Sequence, residues 1–329
     1  MPKRGRENQT PTNGEAAAVK SLNLAYGAVN KAGDAIPADP IVRPKISTPR
    51  ERQLRVVAWN LNGLRAFLAK RPQELRKLWE SEQVDILGIT EHKITEIEKT
   101  VEIEKSIREL IPDEIALVWN MCKGKKGYSG SLAIVRKSVM DQAVSVEFGL
   151  GGKPDLEGRV ITLEFKNCLV VIAYVPNSGQ TLERLHYRTN QWDKDLSAHC
   201  LEMGKGGRKS VILAGDLNVA HRDLDIWNVD APHVPKGAGT TPQERAGFQT
   251  ELLSKAGFID SFTHMHPVEK GWFSYWSVRA GNKPRNRGLR LDYVLVTEKV
   301  KLLDAFIAGG FAKEGDHCPV GVVVEIDSL

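Results

Sequence analysis

Val211-Ile212-Leu213-Ala214-Gly215-Asp216-Leu217-Asn218-Val219-Ala220-His221 decides how this chain is read. Its first four residues are apolar or small and read as a buried strand bounded by Gly215. Asp216 follows at the strand's end, where the rim of a sheet can hold a carboxylate rigidly. Asn218, two residues on, faces the same side if the backbone stays extended. Carboxylate and amide then share one small site. The amide can hold a water or a substrate oxygen while the carboxylate takes a proton. An Asp-x-Asn turn that caps its own backbone is the other reading of the same residues. The rest of the chain chooses between them.

The 329 residues are 41% hydrophobic and 26% charged, an ordinary globular composition with enough apolar residues for a large core. No apolar run approaches the length of a membrane span, and Met1-Pro2-Lys3-Arg4 has no apolar segment behind it, so a soluble protein without a signal peptide is expected. Cys122, Cys168, Cys200 and Cys318 are widely separated. They suit a reducing compartment and speak against a zinc knuckle or a disulfide framework. The net charge of +5 gathers at one end: residues 1–50 hold eight Lys/Arg against four Asp/Glu, which leaves the rest nearly neutral. A body of this kind binds nucleic acid only through a local basic face set beside an acidic pocket. Residues 1–50 have Tyr26 as their one aromatic and read as a disordered basic tail. Pro2-Lys3-Arg4-Gly5-Arg6 fits a nuclear import signal, a backbone-binding arm or a merely solubilising cluster.

Order is expected from Leu54. Leu54–Trp59 reads as a strand and Asn60-Leu61-Asn62-Gly63 as a turn. Helical spacing then runs from Leu64 to Glu82, with Pro72 either breaking the helix or opening a second one. Val84–Ile89 is a second buried strand ending in Thr90-Glu91-His92-Lys93, and a polar helix covers Glu98–Leu110. Further strands are expected at Ala116–Trp119, Ser131–Val135, Val144–Phe148, Val160–Phe165, Leu169–Tyr174, Phe273–Ser277, Leu291–Val296 and Val320–Glu325. Helices are expected from Leu182 to about Met203 and from Pro242 to Lys255, the latter capped by Thr241. Strand–helix–strand order recurs in both halves, which predicts two similar sheets packed face to face with helices outside.

Acidic residues recur where strands end or begin: Glu91, Asp216, Asp292 and the pair Asp316-His317. Asn60, Asn62, Asn177 and Asn218 accompany them. If these ends converge on one rim, they build an oxygen-rich pocket with a single histidine. Such a donor set favours Mg²⁺ or Mn²⁺ over zinc. Each member also has a plainer reading. Glu91 can simply pair with Lys93 on the surface. Asp292, set between apolar residues, needs a partner, either His317 or Arg290.

Several stretches together carry a resemblance. Trp59-Asn60-Leu61-Asn62-Gly63-Leu64-Arg65-Ala66, Gly127-Tyr128-Ser129-Gly130, Glu157-Gly158-Arg159-Val160, Tyr174-Val175-Pro176-Asn177, Gly215-Asp216-Leu217-Asn218, Thr241-Pro242-Gln243-Glu244-Arg245, Arg290-Leu291-Asp292-Tyr293 and Gly315-Asp316-His317 resemble, in that order, the exonuclease III-type apurinic/apyrimidinic endonucleases. The likeness spans about residues 54–327. It implies a DNase I-like fold, a four-layered α/β sandwich of two mixed sheets flanked by helices, with residues 51–329 as the catalytic domain. It also implies Mg²⁺-dependent incision of double-stranded DNA 5′ to an abasic site. A monomer is expected, in the nucleus, with the mitochondrion as the alternative.

Carried over by position, Glu91 is the main metal ligand with Asn62 and Asp316 nearby. Asp216, Asn218 and His317 complete the metal and phosphate site. Asp216 activates or orients the attacking water, helped by Asn218. His317, oriented by Asp292, contacts the scissile phosphate, and Tyr174, Asn177 and Asn60 support it. DNA contacts are expected from Arg65, Lys93, Tyr128, Arg159 and Arg279. A pocket for the base-free sugar is expected from Tyr275, Trp276, Leu289 and Leu291, with either aromatic open to an ordinary core role. Lys283, Arg285 and Arg287 share the basic loop with Arg279. The chain departs from the family pattern around Glu91, where Gln usually precedes and Thr follows; here they are Thr90 and His92. A phosphatase or phosphodiesterase acting on a different ester, and a relative that binds DNA without turnover, are the competing expectations.

Overall fold

The computed structural model describes residues 41–312, 315–327 and 329. Among the described residues, twelve strands form two six-stranded sheets. The first sheet holds β1 (Gln53–Asn60), β2 (Ile86–Thr90), β3 (Ile115–Asn120), β4 (Ser131–Arg136), β11 (Lys301–Ile307) and β12 (Val320–Glu325), in the order β11-β12-β1-β2-β4-β3. The second holds β5 (Ser145–Phe148), β6 (Val160–Glu164), β7 (Cys168–Tyr174), β8 (Ser210–Asp216), β9 (Phe258–Asp260) and β10 (Asp292–Thr297), in the order β5-β6-β7-β8-β10-β9. One parallel pair lies in each sheet, β1 with β2 and β7 with β8; the other pairs are antiparallel.

The strands alternate between two apolar environments. In β1, Val56 and Ala58 face the layer between the sheets, while Val57 and Trp59 face outward. There they meet helices α1 (Leu64–Lys70), α2 (Pro72–Glu82) and α3 (Thr100–Leu110). In β8, Ile212 and Ala214 point to the inter-sheet layer, and Val211 and Leu213 point to the helices that cover the second sheet. A strand covered on both faces has no polar side. This is why Val211–Ala214 is an unbroken apolar run, each large side chain contributing roughly 1.5–3 kcal/mol on burial. The covering helices are α4, residues 185–203 with Arg188–Trp192 in π geometry, and α5, residues 242–255 with Phe248–Lys255 in π geometry. Thr241 caps α5 in a capping box with Glu244. Pro72 stands at the first turn of α2, so it opens a second helix. The result is the expected four-layer sandwich.

Three expectations need correction. Phe273–Ser277 is no strand: Tyr275 makes only isolated bridges, to Leu289 and His317. Strands β9 and β11 were not expected, nor was the short helix Ser261–Met265 that follows β9. Of the expected tail, residues 1–40 lie outside the described residues, but 41–50 run along the body. Arg43 pairs with Glu82 and Asp304 and stacks 4.1 Å over Phe306, and Arg50 pairs with Asp85. Among the described residues no helix is long and apolar enough to cross a membrane. All four cysteines are buried and free.

The topology gathers one rim. The C-terminal ends of β1, β2, β7 and β8 lie beside the N-terminal ends of the antiparallel β10 and β12. Asp292 is paired in register with Asp216, and Tyr174 with Asp216 on its other side.

Candidate active site

Asp216 is set by its neighbours on both sides. A Cβ at Gly215 would lie 1.9 Å from the carbonyl oxygen of Ala173 in β7. Only glycine lets β8 approach this closely just before the carboxylate. Beyond it, Asn218 takes a left-handed φ of 50° and folds the loop back. Its N–H donates to Asp216 Oδ1 at 2.9 Å, and its side-chain amide donates to the Val175 carbonyl at 2.9 Å. The Asp-x-Asn turn and the pairing of carboxylate with amide are thus the same structure. Asn177 donates to Asn218 Oδ1 at 3.0 Å.

His317 lies across from this carboxylate. Its Nδ1 is 2.7 Å from Asp292 Oδ2, and its Nε2 is 4.0 Å from Asp216 Oδ2. The partner of Asp292 is therefore His317. Arg290 instead forks onto Asp225 and Asp260 in a fully buried ion cluster. Ser274 holds the start of β10, its hydroxyl accepting the N–H groups of Leu291 and Asp292, while its carbonyl accepts Cys318 N–H. Burial opposes charge on His317, but the Asp292 carboxylate outweighs it and pushes the imidazole up to about 10. Burial, with the charge of Asp292 added, pushes Asp216 up to about 7. Burial also holds the Tyr174 phenol protonated, reinforced by the carboxylates of Glu91 and Asp216.

Asn60 joins the two halves of the rim. Its amide donates to Asp216 Oδ2 at 2.8 Å and to Glu91 Oε2 at 3.2 Å. On the outer side, Asn62 donates to Asp316 Oδ2 at 2.8 Å. The Lys93 ammonium hydrogen-bonds Asn62 Oδ1 and lies 3.1 Å from Glu91 Oε1. Asn62, Glu91 and Lys93 have φ of 49°, 58° and 61°. Left-handed backbone is costly for Glu and Lys, by roughly 1–2 kcal/mol each, and such residues cluster at functional sites. The oxygen atoms of Glu91, Asn62 and Asp316 suit a hard divalent cation. A lysine ammonium already sits between two of these residues, so the pocket accepts positive charge.

Not every expected residue belongs to the rim. Arg159 is 3% exposed and cannot reach a duplex. It braces Tyr174 from below, its guanidinium donating to Glu157, Tyr128 Oη and the Tyr174 carbonyl. Trp276 is 1% exposed and bonded to Asn286, hence core. Leu291 is buried in a small cluster with Ala220, Ile226 and Val234. Tyr275 and Leu289 do line a cavity of about 190 Å³, together with Trp227, Asn228, Ser277 and Arg287. The Tyr275 ring lies 4.9 Å from that of His317. Arg65 and Arg279 are exposed. The Tyr128 hydroxyl accepts from Arg159 and Arg184.

Two supports escaped sequence reading. Arg188, fully buried, donates to the carbonyls of Leu217 at 2.6 Å and Asn218 at 2.5 Å. Glu244 anchors Arg188, Ser178 and the Gly239 N–H. The Thr241-x-x-Glu244 box was the only local signal of this clamp. Nothing in the sequence tied it to the Asp216 loop.

Residues 57–310 match the Endonuclease/Exonuclease/phosphatase family. The chain belongs to that family. An exodeoxyribonuclease of Bacillus subtilis is 39% identical over 276 residues, covering 83% of this chain and all of the relative. The DNA repair nuclease APEX1 of Danio rerio is 34% identical, covering 99% of this chain and all of its own. The crystal structure of an AP endonuclease from Leishmania major superposes with a TM-score of 0.76 at 26% identity, covering 96% of this chain and 99% of that one. Endonuclease/exonuclease/phosphatase nucleases of this type are metal-dependent. In this chain Asp216, Asp292 and His317 form an acidic cluster with ligand atoms all within 4.8 Å of one another.

Proposed function

We propose that this chain is a DNA repair nuclease that hydrolyses the phosphodiester 5′ to an abasic site, leaving a 3′-hydroxyl and a 5′-deoxyribose phosphate. One observation carries this: Asp216, Asp292 and His317, far apart in sequence, meet at one rim beside Glu91, and Tyr275, which lines the cavity with Leu289, sets its ring 4.9 Å from that of His317. Water attacks phosphorus as the bond to the 3′-oxygen breaks, and the departing 3′-oxygen takes a proton from solvent to become the hydroxyl. Asp216, flanked by Asn218, takes the proton of that water. The His317 imidazolium, the Tyr174 phenol and the Asn177 amide stabilise charge on the non-bridging oxygens.

Glu91, with Asn62 and Asp316, is the set that would hold Mg²⁺ or Mn²⁺. When bound, such an ion supplies Lewis-acid stabilisation of the phosphoryl oxygens and leaving group. The cavity suits an extruded sugar that carries no base. Its Tyr275 and Leu289 walls are apolar, and Arg287 lies against Trp227 at the rim. The same geometry extends the proposal to 3′-phosphodiesterase and 3′–5′ exonuclease activity, in keeping with the exodeoxyribonuclease name of one relative. The basic cluster near the N-terminus supports a nuclear location.

The test is a nicking assay on a duplex with one abasic site, run beside the intact duplex and a soluble phosphate ester. The expected result is incision that requires a divalent ion, stops in EDTA and favours the abasic duplex over both controls. Equal hydrolysis of the soluble ester, or EDTA-insensitive nicking, contradicts the proposal.

A further inference from the structure

The segment that presents Glu91 is short and backbone-strained, and one side chain ties it down. His92 lies between Glu91 and Lys93, and it is completely buried. Its flanking residues both have left-handed φ, 58° and 61°, so Glu91 and Lys93 turn to the rim while His92 turns inward. The inward ring makes polar contacts through both nitrogens. Nδ1 lies 2.9 Å from the backbone nitrogen of Ile94, and Nε2 lies 3.2 Å from the carbonyl oxygen of Asn120 at the end of β3. A backbone N–H can only donate, so Nδ1 is the acceptor. The ring is then the neutral tautomer, with its proton on Nε2 and donated to Asn120.

The loop backbone is pinned at the same place. His92 N–H donates to the Gly130 carbonyl at 3.2 Å, Lys93 N–H to the Ser129 carbonyl at 2.9 Å, and Leu64 N–H to the His92 carbonyl at 3.1 Å. The ring also stands edge-on to Trp119 at 5.2 Å. Gly130 accommodates it: a Cβ there would lie 2.4 Å from His92 Cε1. The imidazole reaches both Ile94 and Asn120 through its two nitrogens, a span that a single hydroxyl side chain is too short to make.

We propose that His92 is a positioning residue for the divalent cation: its neutral ring locks the Glu91–Lys93 turn so that the Glu91 carboxylate faces the rim. This rests on the reading of Glu91 as the principal cation ligand. Residues that orient a ligand typically change metal affinity 10–100-fold when removed.

Mn²⁺ is titrated into the 329-residue chain without DNA and followed by electron paramagnetic resonance, for the parent, Glu91→Ala, His92→Leu and His92→Gln. Leu fills the space without either polar contact, and Gln keeps a donor able to reach Asn120. His92→Leu is expected to weaken Mn²⁺ binding by about 10-fold or more, and His92→Gln to restore most of it. The Mg²⁺ concentration for half-maximal incision should rise in parallel, with turnover at saturating Mg²⁺ within about 3-fold of the parent. If His92→Leu does not fold, His92→Thr takes its place, with the same expected loss. Parent-like Mn²⁺ affinity in the folded Leu or Thr variant, alongside weakened binding in Glu91→Ala, overturns this inference alone. Parent-like affinity in Glu91→Ala overturns the assignment of the cation to Glu91, and this inference with it.

Discussion

Asp216→Asn lowers single-turnover incision of an abasic duplex about 1,000-fold while leaving duplex affinity in EDTA within about 3-fold, the range expected when a general base is removed without a change of shape. The replacement is isosteric and sits in the same cage of donors from Asn60 and Asn218. It cannot take a proton from water. One of its two terminal groups now donates towards donors, which costs some order locally. It also removes a buried negative charge facing Asp292, so the thermal midpoint should not fall. Rapid-quench incision and fluorescence anisotropy separate the two effects. Incision within about 10-fold of the parent would remove Asp216 from the chemistry.

Asp292→Asn moves the pH profile of incision to lower pH on both sides. In the parent, Asp292 helps to raise Asp216 to about 7 and holds His317 up at about 10. The acid limb follows loss of the Asp216 proton and the alkaline limb follows loss of the His317 proton. Removing the Asp292 charge lowers both pKa values, because it takes away repulsion of the Asp216 anion and attraction of the imidazolium. If His317 returns to its ordinary value near 6.5, only a few per cent is imidazolium at pH 8, and incision there falls about 30-fold from this cause alone. The linkage to folding has the same sign. His317 is raised in the folded chain, so its contribution to stability is full below about 6.5 and lost as pH rises through about 10. Single-turnover rates from pH 5 to 10.5 and the imidazole NMR titration of His317 check this. An alkaline limb left in place would show that Asp292 does not set the charge of His317.

How far the sequence could be read depended on whether the deciding contact was local. Val211–Asp216 announces a strand covered on both faces, because the apolar run has no polar alternation and ends at a glycine the neighbouring strand demands. Asp316-His317 and Asp292 were legible as site residues, but the choice of partner was not. Arg290 is two residues from Asp292, yet it pairs with Asp225 and Asp260, 65 and 30 residues away. Tyr275 and Trp276 are adjacent aromatics in a segment without regular strand geometry, so no alternation says which of them faces the cavity. Arg159 reads as a surface cation because its three acceptors are supplied by tertiary structure. Strand β11 hides behind Asp304, a buried carboxylate next to a bulge whose ion partner is Arg43 in the segment expected to be disordered. The four-layer sandwich was legible throughout, since it depends on the order of elements more than on any one contact.

In the proposed mechanism the carboxylates on this rim have separate duties, Glu91 holding the cation and the Asp216–Asp292–His317 cluster handling water and phosphate. The cluster's ligand atoms lie within 4.8 Å of one another and could compete for the ion, so the ion's position decides the matter. Anomalous diffraction from crystals soaked in Mn²⁺ locates it directly. A single strong peak is expected in contact with a Glu91 carboxylate oxygen, with Nδ1 of His317 still bonded to Asp292. A peak held between Asp216, Asp292 and His317, with Glu91 left on Lys93, would contradict it.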